Sequence, residues 1–249
     1  MTAVTIMLTA LRQIFANFGQ VARIFLAPFL IAAAIIVGGA WITYEHRNIP
    51  EEAVFTLMLT AVICALWATV NFHRHVLLGE RFGWLPRLHF RETAGYGIML
   101  IPMGLVLAGC TWAITLVGAE LIFGANRGDH GLHYAIPRMV LFTLVSSTLL
   151  GALSLRLFSL LPGLAIGAVL RGYTRPRGSI PTILLIALIL SGLRTGYSML
   201  MWLMLTQLDP LTIMFILKIT NLVIGIFAPI YAISLLTALY AHYVGKPAA

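Results

Sequence analysis

The sequence predicts an all-α membrane protein: a polytopic bundle of six transmembrane helices with both termini in the cytoplasm. Three observations carry that reading. Hydrophobic residues make up 60% of the 249-residue chain and charged residues only 10%, whereas a soluble domain carries about 25% charge. The apolar residues fall in long uncharged blocks, and about 20 such residues are needed to cross roughly 30 Å of hydrocarbon. The basic residues, finally, sort strongly by loop.

The spans are read near residues 24–43, 54–72, 94–119, 139–161, 182–205 and 211–241. Six spans and their short loops consume the whole length, so residues 1–249 form a single membrane domain. The last span exceeds what the bilayer demands and is expected to tilt or emerge. Pro28, Pro102, Pro162 and Pro229 fall in or beside spans. Membrane helices accept them as kinks where neighbours satisfy the freed carbonyls.

Orientation follows from the arginines and lysines. One side holds Arg12, Arg23, Arg74, Arg81, Arg87, Arg91, Arg171, Arg175, Arg177 and Lys246; the other holds Arg47, Arg127 and Arg138. Arg156, Arg194 and Lys218 lie within spans. The richer side is the cytoplasmic one, which also receives both ends. A formal charge of +8 therefore reflects sidedness, and no nucleic acid is implied. Trp41, Tyr44, Trp84, Tyr96, Tyr134, Tyr173, Tyr240 and Tyr243 fall near span ends, where aromatic side chains anchor helices at the headgroups.

Before the first span, Val4, Met7, Leu8, Leu11, Ile14, Phe15 and Phe18 share one helical face, with Thr5, Thr9, Arg12, Gln13 and Asn17 opposite. Residues 1–20 are expected to form a helix lying flat in the interface. A cleaved leader would start basic, and here the first basic residue is Arg12. Cys64 and Cys110 both lie in predicted spans and read as small buried hydrophobes.

The stretch from Trp67 to Glu92 is the most distinctive. On a continuing helix Trp67, Asn71, Arg74, Leu78 and Arg81 share one face and His73, Leu77 and Glu80 another. His73 and His75 then point apart, which is the wrong geometry for a shared metal. The expectation is an interfacial helix end with snorkelling arginines, a local Arg–Glu contact and no metal. Arg87-Leu-His-Phe-Arg91 alternates basic and apolar residues after Pro86. With His73, Arg74, Glu80 and Arg81 it marks a cytoplasmic interface facing anionic lipid. Thr93-Ala-Gly-Tyr-Gly97 is similar to a potassium-filter sequence, but it runs straight into a full span from the arginine-rich side, where a filter does not form.

Arg194 and Lys218 carry the binding hypothesis. An ionisable residue deep in a span is expensive and marks a functional site by default, and no acidic residue lies centrally in any span. Arg194 lies between Gly192 and Gly196, roughly opposite them around the helix, and Ser191 and Ser198 flank it. If the glycines pack on a neighbour, Arg194 faces the bundle interior. With Lys218, Ser191 and Ser198 it is then placed to hold a phosphate or carboxylate. Gly104/Ala108, Gly163/Gly167 and Gly192/Gly196 have the spacing that permits close helix contact. An inverted repeat is not read: Arg23-Ile-Phe with Pro28 resembles Arg156-Leu-Phe with Pro162, but the prolines are offset and no other pair of spans matches.

No HExxH, GxSxG or P-loop sequence occurs, so the chain leans away from an enzyme and no cofactor is expected. The expected activity is binding or transport of an anionic solute or lipid. The alternative is a non-catalytic accessory subunit whose cations pair with a partner's acids. The partners this allows are the bilayer with its anionic lipids, another membrane protein, or a second copy of the chain.

Two stretches carry a resemblance. Trp67 through His73-Arg74 to Leu77-Leu-Gly-Glu80 is one; Arg156-Leu-Phe followed by Leu161-Pro-Gly-Leu-Ala-Ile-Gly167 is the other. Together they resemble uncharacterised multi-pass inner-membrane proteins of alphaproteobacterial type. The resemblance implies six spans and a bacterial cytoplasmic membrane, and it carries no activity with it.

The topology is checked with reporter fusions. Fusions after Lys246 and in the Arg175–Arg177 loop should read cytoplasmic, and one near Arg127 external. A cytoplasmic signal at Arg127 would sink the six-span arrangement.

Overall fold

The computed structural model describes residues 2–46, 51–123, 132–167, 179–207 and 209–244. Arg47, Arg127, Asp129, Arg171, Tyr173, Arg175, Arg177 and Lys246, on which part of the charge and aromatic patterns rests, lie outside the described residues. The described chain is all-α, in the order α1 (Ala3–Ala16), α2 (Phe18–His46), α3 (Glu51–Leu78), α4 (Phe90–Phe123), α5 (Leu132–Phe158), α6 (Leu161–Ala165), α7 (Ser179–Gln207) and α8 (Pro210–Val244).

Six of these helices are long and apolar enough to cross a membrane, over Phe18–Gly39, Glu52–Leu78, Phe90–Gly118, Pro137–Ala165, Ile180–Met204 and Met214–Val244. The chain is a multi-pass membrane protein. Helices are the form expected, because hydrocarbon offers no partner to a backbone N–H or C=O outside a helix or a closed barrel. The second span runs six residues past its expected end, through His73, Arg74 and His75. It can do so because each of these side chains finds a partner inside the protein, as described below.

The described helices divide into two compact units. One comprises Met1–Met7, Leu100–Ser159 and Arg175–Ile230, the other Leu8–Met99, Leu160–Thr174 and Tyr231–Ala249. In the first unit α5 packs along α7. Small residues let them approach: a Cβ at Gly151 would lie 3.5 Å from that of Ala187, and Ala152, Leu155, Ile183 and Ile186 are buried. In the second unit α2 packs along α3, and α3 touches the short α6. The rings of Phe25 and Phe72 meet at 5.8 Å, and Leu66 and Leu57 press against Gly97 and Gly39 respectively.

The N-terminal helix is amphipathic, but its sides differ from the expectation. Ala3, Ile6, Ala10 and Ile14 form a buried stripe that continues in α2 as Val21, Ile24 and Pro28. At about 100° per residue these positions stay in phase across the break at Asn17. Val4, Leu8, Phe15 and Phe18 are exposed about a third of a turn away, and Thr5, Arg12 and Ala16 are exposed beyond them. Ile14, expected on the apolar outer face, therefore packs inward. The helix has a protein side, an apolar outer side and a polar outer side, as an interfacial helix requires. Ser234 on α8 fastens it, with its hydroxyl 2.7 Å from the Ala10 carbonyl oxygen and 2.9 Å from Gln13 Oε1.

The small-residue motifs behave differently from one another. Gly104, Gly192 and Gly196 have open space where a Cβ would stand, so among the described residues none makes the expected close contact at Gly192/Gly196. Gly163 and Gly167 are required for other reasons. Gly167 takes φ +71° at the end of α6, a left-handed conformation that favours glycine. A Cβ at Gly163 would fall 2.9 Å from Cε2 of Tyr240. Gly163→Ala should therefore cost about 1–3 kcal/mol by overpacking, measured as a lowered unfolding midpoint in detergent. Pairing it with Tyr240→Leu should recover part of the loss, and no recovery would remove the ring as the cause.

Candidate functional site

The polar residues of the second unit gather where α3 ends. Gly79, at φ +70°, stops the helix, and its N–H donates to the His75 carbonyl at 3.1 Å. The chain turns instead of continuing as a helix. That corrects the expectation that Glu80 and Arg81 extend the faces of α3. The turn carries Glu80 back onto Arg74, which grips it with both prongs of the guanidinium: Nε to Oε2 at 3.1 Å and Nη2 to Oε1 at 2.5 Å. The expected Arg–Glu contact is thus present, and it is bidentate, the stronger form.

Arg74 does more than hold Glu80. Its Nη1 donates to the Ala165 carbonyl at the end of α6, at 3.2 Å, and lies 3.8 Å from Glu92 at the start of α4. A cation at a helix C-terminus and an acid at a helix N-terminus both suit the helix dipoles. Two sequence-distant stretches, one around Arg74 and one through Ala165, meet at this hydrogen bond.

The segment from Gly79 to His89 is pinned at further points. His75 Nδ1–H donates to the Glu80 carbonyl at 2.6 Å, and Phe82 N–H donates to Gln20 Oε1 at 3.2 Å. Trp67 Nε1–H donates to the Arg87 carbonyl at 3.1 Å. Phe82 and Pro86 are buried beneath it. Above it Arg81, Trp84, Leu85, Arg87, Leu88, Phe90 and Arg91 are all exposed. Trp84 is 77% exposed and Phe90 75%. The Arg23 guanidinium stands over the Trp84 ring at 5.4 Å, a cation–π pair.

Deeper in the same unit lies a buried polar row that sequence reasoning missed. His73 is 0% exposed. Its Nδ1 is 2.8 Å from Thr237 Oγ1, and its Nε2 is 3.2 Å from the Tyr96 hydroxyl. Thr237 has already donated its proton to the Ile233 carbonyl, at 2.8 Å, so it can only accept from the imidazole. This assigns the tautomer: Nδ1 carries the proton and Nε2 accepts from Tyr96. The chain Tyr96 → His73 → Thr237 → Ile233 ties α4, α3 and α8 with every donor used in one direction. Both ring nitrogens of His73 are thus engaged, while His75 uses Nδ1 on the Glu80 carbonyl.

The residues expected to bind an anion lie in the first unit. Ser191 is buried, while Arg194, Ser198 and Lys218 are exposed. Arg194 was expected to face the bundle interior. It does continue the line of α7 that packs on α5, but the packing ends one turn earlier and leaves the guanidinium open. Lys218 stands eight residues into α8, close enough to its end to snorkel toward the headgroups. No protein-family profile, curated protein or solved structure matches this chain.

The loop should respond to pH. The Arg74 hydrogen bond holds the Glu80 carboxyl below its ordinary range, against some opposing burial. Burial, aided by the Arg74 charge, holds His89 below its ordinary 6.5, and this outweighs the attraction of Glu80, 3.6 Å away. Both groups bind protons more readily in the unfolded chain, so both contribute stability above their ordinary values that is lost as pH falls. Amide exchange across residues 80–89, corrected for intrinsic rates, should therefore accelerate on acidification, first below about 6.5 and again in the carboxylate range. His89→Gln should remove the first step only; protection that rises on acidification would contradict the assignment.

Proposed function

We propose that this protein binds anionic lipid headgroups at its arginine-rich, cytoplasmic face, in a bacterial cytoplasmic membrane. One observation carries the reading. A loop outside the spans is held by five polar contacts, yet it presents Trp84, Leu85 and Leu88 outward, interleaved with Arg81 and Arg87, and Phe90 and Arg91 continue this surface at the start of α4. Such a surface is unfavourable in water and favourable in the headgroup region, where aromatic rings sit at the acyl boundary and arginines meet phosphate. Each basic residue near an anionic surface contributes about 1 kcal/mol. The exposed apolar side of α1 and Arg12 add to the same interface. The resemblance to bacterial inner-membrane proteins supports the location.

A second reading has its own observation. The Gly192/Gly196 face of α7 is open and has the spacing that admits a neighbouring helix. This favours an accessory subunit that docks another membrane protein, or a second copy of the chain.

Native mass spectrometry from mixed nanodiscs separates the readings. Wild-type protein should retain phosphatidylglycerol in preference to phosphatidylcholine, and the preference should weaken with salt. Replacing Arg81, Arg87 and Arg91 together by alanine should remove most of it. Equal retention of the two lipids, or an unchanged preference in the triple variant, would overturn the lipid reading; a stoichiometric protein partner lost on Gly192→Leu would establish the second.

A further inference from the structure

A second anion site, independent of the cytoplasmic face, follows from α7. Arg194 lies 15 residues from Ser179 and 13 from Gln207, the ends of the helix. At 1.5 Å per residue this puts it about 20 Å from either end. A cation at that depth is expensive unless it meets an opposite charge. The chain has eight acidic residues, and none lies more than two residues inside the end of a span. Among the described residues Arg194 makes no hydrogen bond or ion pair. No described residue supplies its counter-charge.

The surroundings specify what that charge is. Ile183, Ala187 and Ser191 are buried on the inner part of α7. At about 100° per residue all three lie within roughly 60° of the Arg194 direction. Tyr197 and Ser198 continue the same strip outward. Hydroxyls in these helices ordinarily donate back to a carbonyl one turn earlier. On α5, Ser146, Ser147, Thr148 and Ser154 all do so. The two serine hydroxyls beside Arg194, on Ser191 and Ser198, do not. Ser191, Tyr197 and Ser198 make no hydrogen bond among the described residues, and the Tyr197 oxygen is enclosed and unpaired. Three free O–H donors and five guanidinium N–H donors therefore share one strip, with no anion of the chain's own to receive them.

We propose that this strip is an intramembrane binding site for a monovalent carboxylate carrying an apolar body. The fork of Arg194 matches a carboxylate in both prongs, and Ser191, Tyr197 and Ser198 supply the remaining donors. One cation neutralises one charge, so a dianion such as a fully ionised phosphate monoester would be left with net charge in hydrocarbon, where it is strongly disfavoured. The apolar body is implied by access: Leu193, Leu200 and Trp202 are exposed around the strip, so a ligand arrives through the acyl region.

The test uses the full chain in phosphatidylcholine nanodiscs, with octanoate, octylamine and inorganic phosphate as probes and native mass spectrometry as readout. Wild-type protein should retain one octanoate and neither of the others. Arg194→Leu should weaken octanoate retention at least tenfold, and Tyr197→Phe and Ser198→Ala about fivefold each. Removing an intramembrane cation does not hinder insertion, and Arg194→Gln, checked for helix content and monodispersity, guards against a local artefact. Equal retention by wild type and Arg194→Leu would overturn the site, as would tighter binding of phosphate or no retention of octanoate. A photo-crosslinker at position 198 that captured an acidic helix of another chain would also overturn it, by assigning the counter-charge to a protein.

Discussion

The arginine-rich end of this protein is organised around the guanidinium of Arg74. A charged group near the end of a span is stable only if its donors are met, because the alternative is an unpaired charge in a medium of low polarity. Arg74 meets Glu80 in the loop and the Ala165 carbonyl of α6, and it stands near Glu92 of α4. Each contact belongs to a different segment. The helix that carries Arg74 is thereby joined to the three elements around it, and the loop shares its anchoring with Trp67, His75 and Gln20. Arginine suits the position better than lysine, since a planar fork with five fixed donors can serve several acceptors at once.

The buried row beneath it obeys the same rule without a charge. A histidine enclosed in a bundle is acceptable when one nitrogen donates and the other accepts, and Thr237 and Tyr96 enforce this division. Thr237 can accept only because its proton is spent on its own helix. A common habit of membrane helices, the hydroxyl bonded back one turn, thus becomes a device for fixing a tautomer. Asn71 next to it is less complete: its amide N–H donates to the Trp67 carbonyl, while its oxygen is enclosed without a partner among the described residues.

Much of the architecture was legible in the sequence because hydropathy and charge act over long windows. Twenty apolar residues have one economical solution in a bilayer, and the six spans follow. The errors fall where one residue decides. Gly79 in Leu78-Gly79-Glu80 is a helix C-terminal glycine by position, and reading it so would have ended α3 there and turned Glu80 back. Gly163 and Gly167 share the spacing of a helix-packing motif, but one makes room for Tyr240 and the other takes positive φ. The side of α1 that packs inward is marked by Ala3 and Ala10, whose small size invites close approach and whose hydropathy says little. Tyr96 and Thr237 could not be paired with His73 from sequence, because 164 residues separate His73 from Thr237 and spacing carries no information across that distance.

Donor balance is what separates the two polar regions chemically. Around Arg74 and His73 most donors and acceptors are matched inside the chain, which makes that region rigid and leaves only the outward arginines and rings of the loop to meet something else. Around Arg194 the balance is one-sided: N–H and O–H groups are in surplus, and no acidic side chain of the chain lies at that depth. Leaving one cation unpaired costs more than several neutral hydrogen bonds return, so a sequence that only needed a stable helix would carry leucine there. Ser191 and Ser198 sharpen the point, because hydroxyls that forgo their own helix's carbonyls are held for another acceptor, and the Tyr197 oxygen beside them is unpaired. A surplus of donors on one strip is the complement of an anion, and the depth of the strip restricts that anion to one whose remaining surface is apolar.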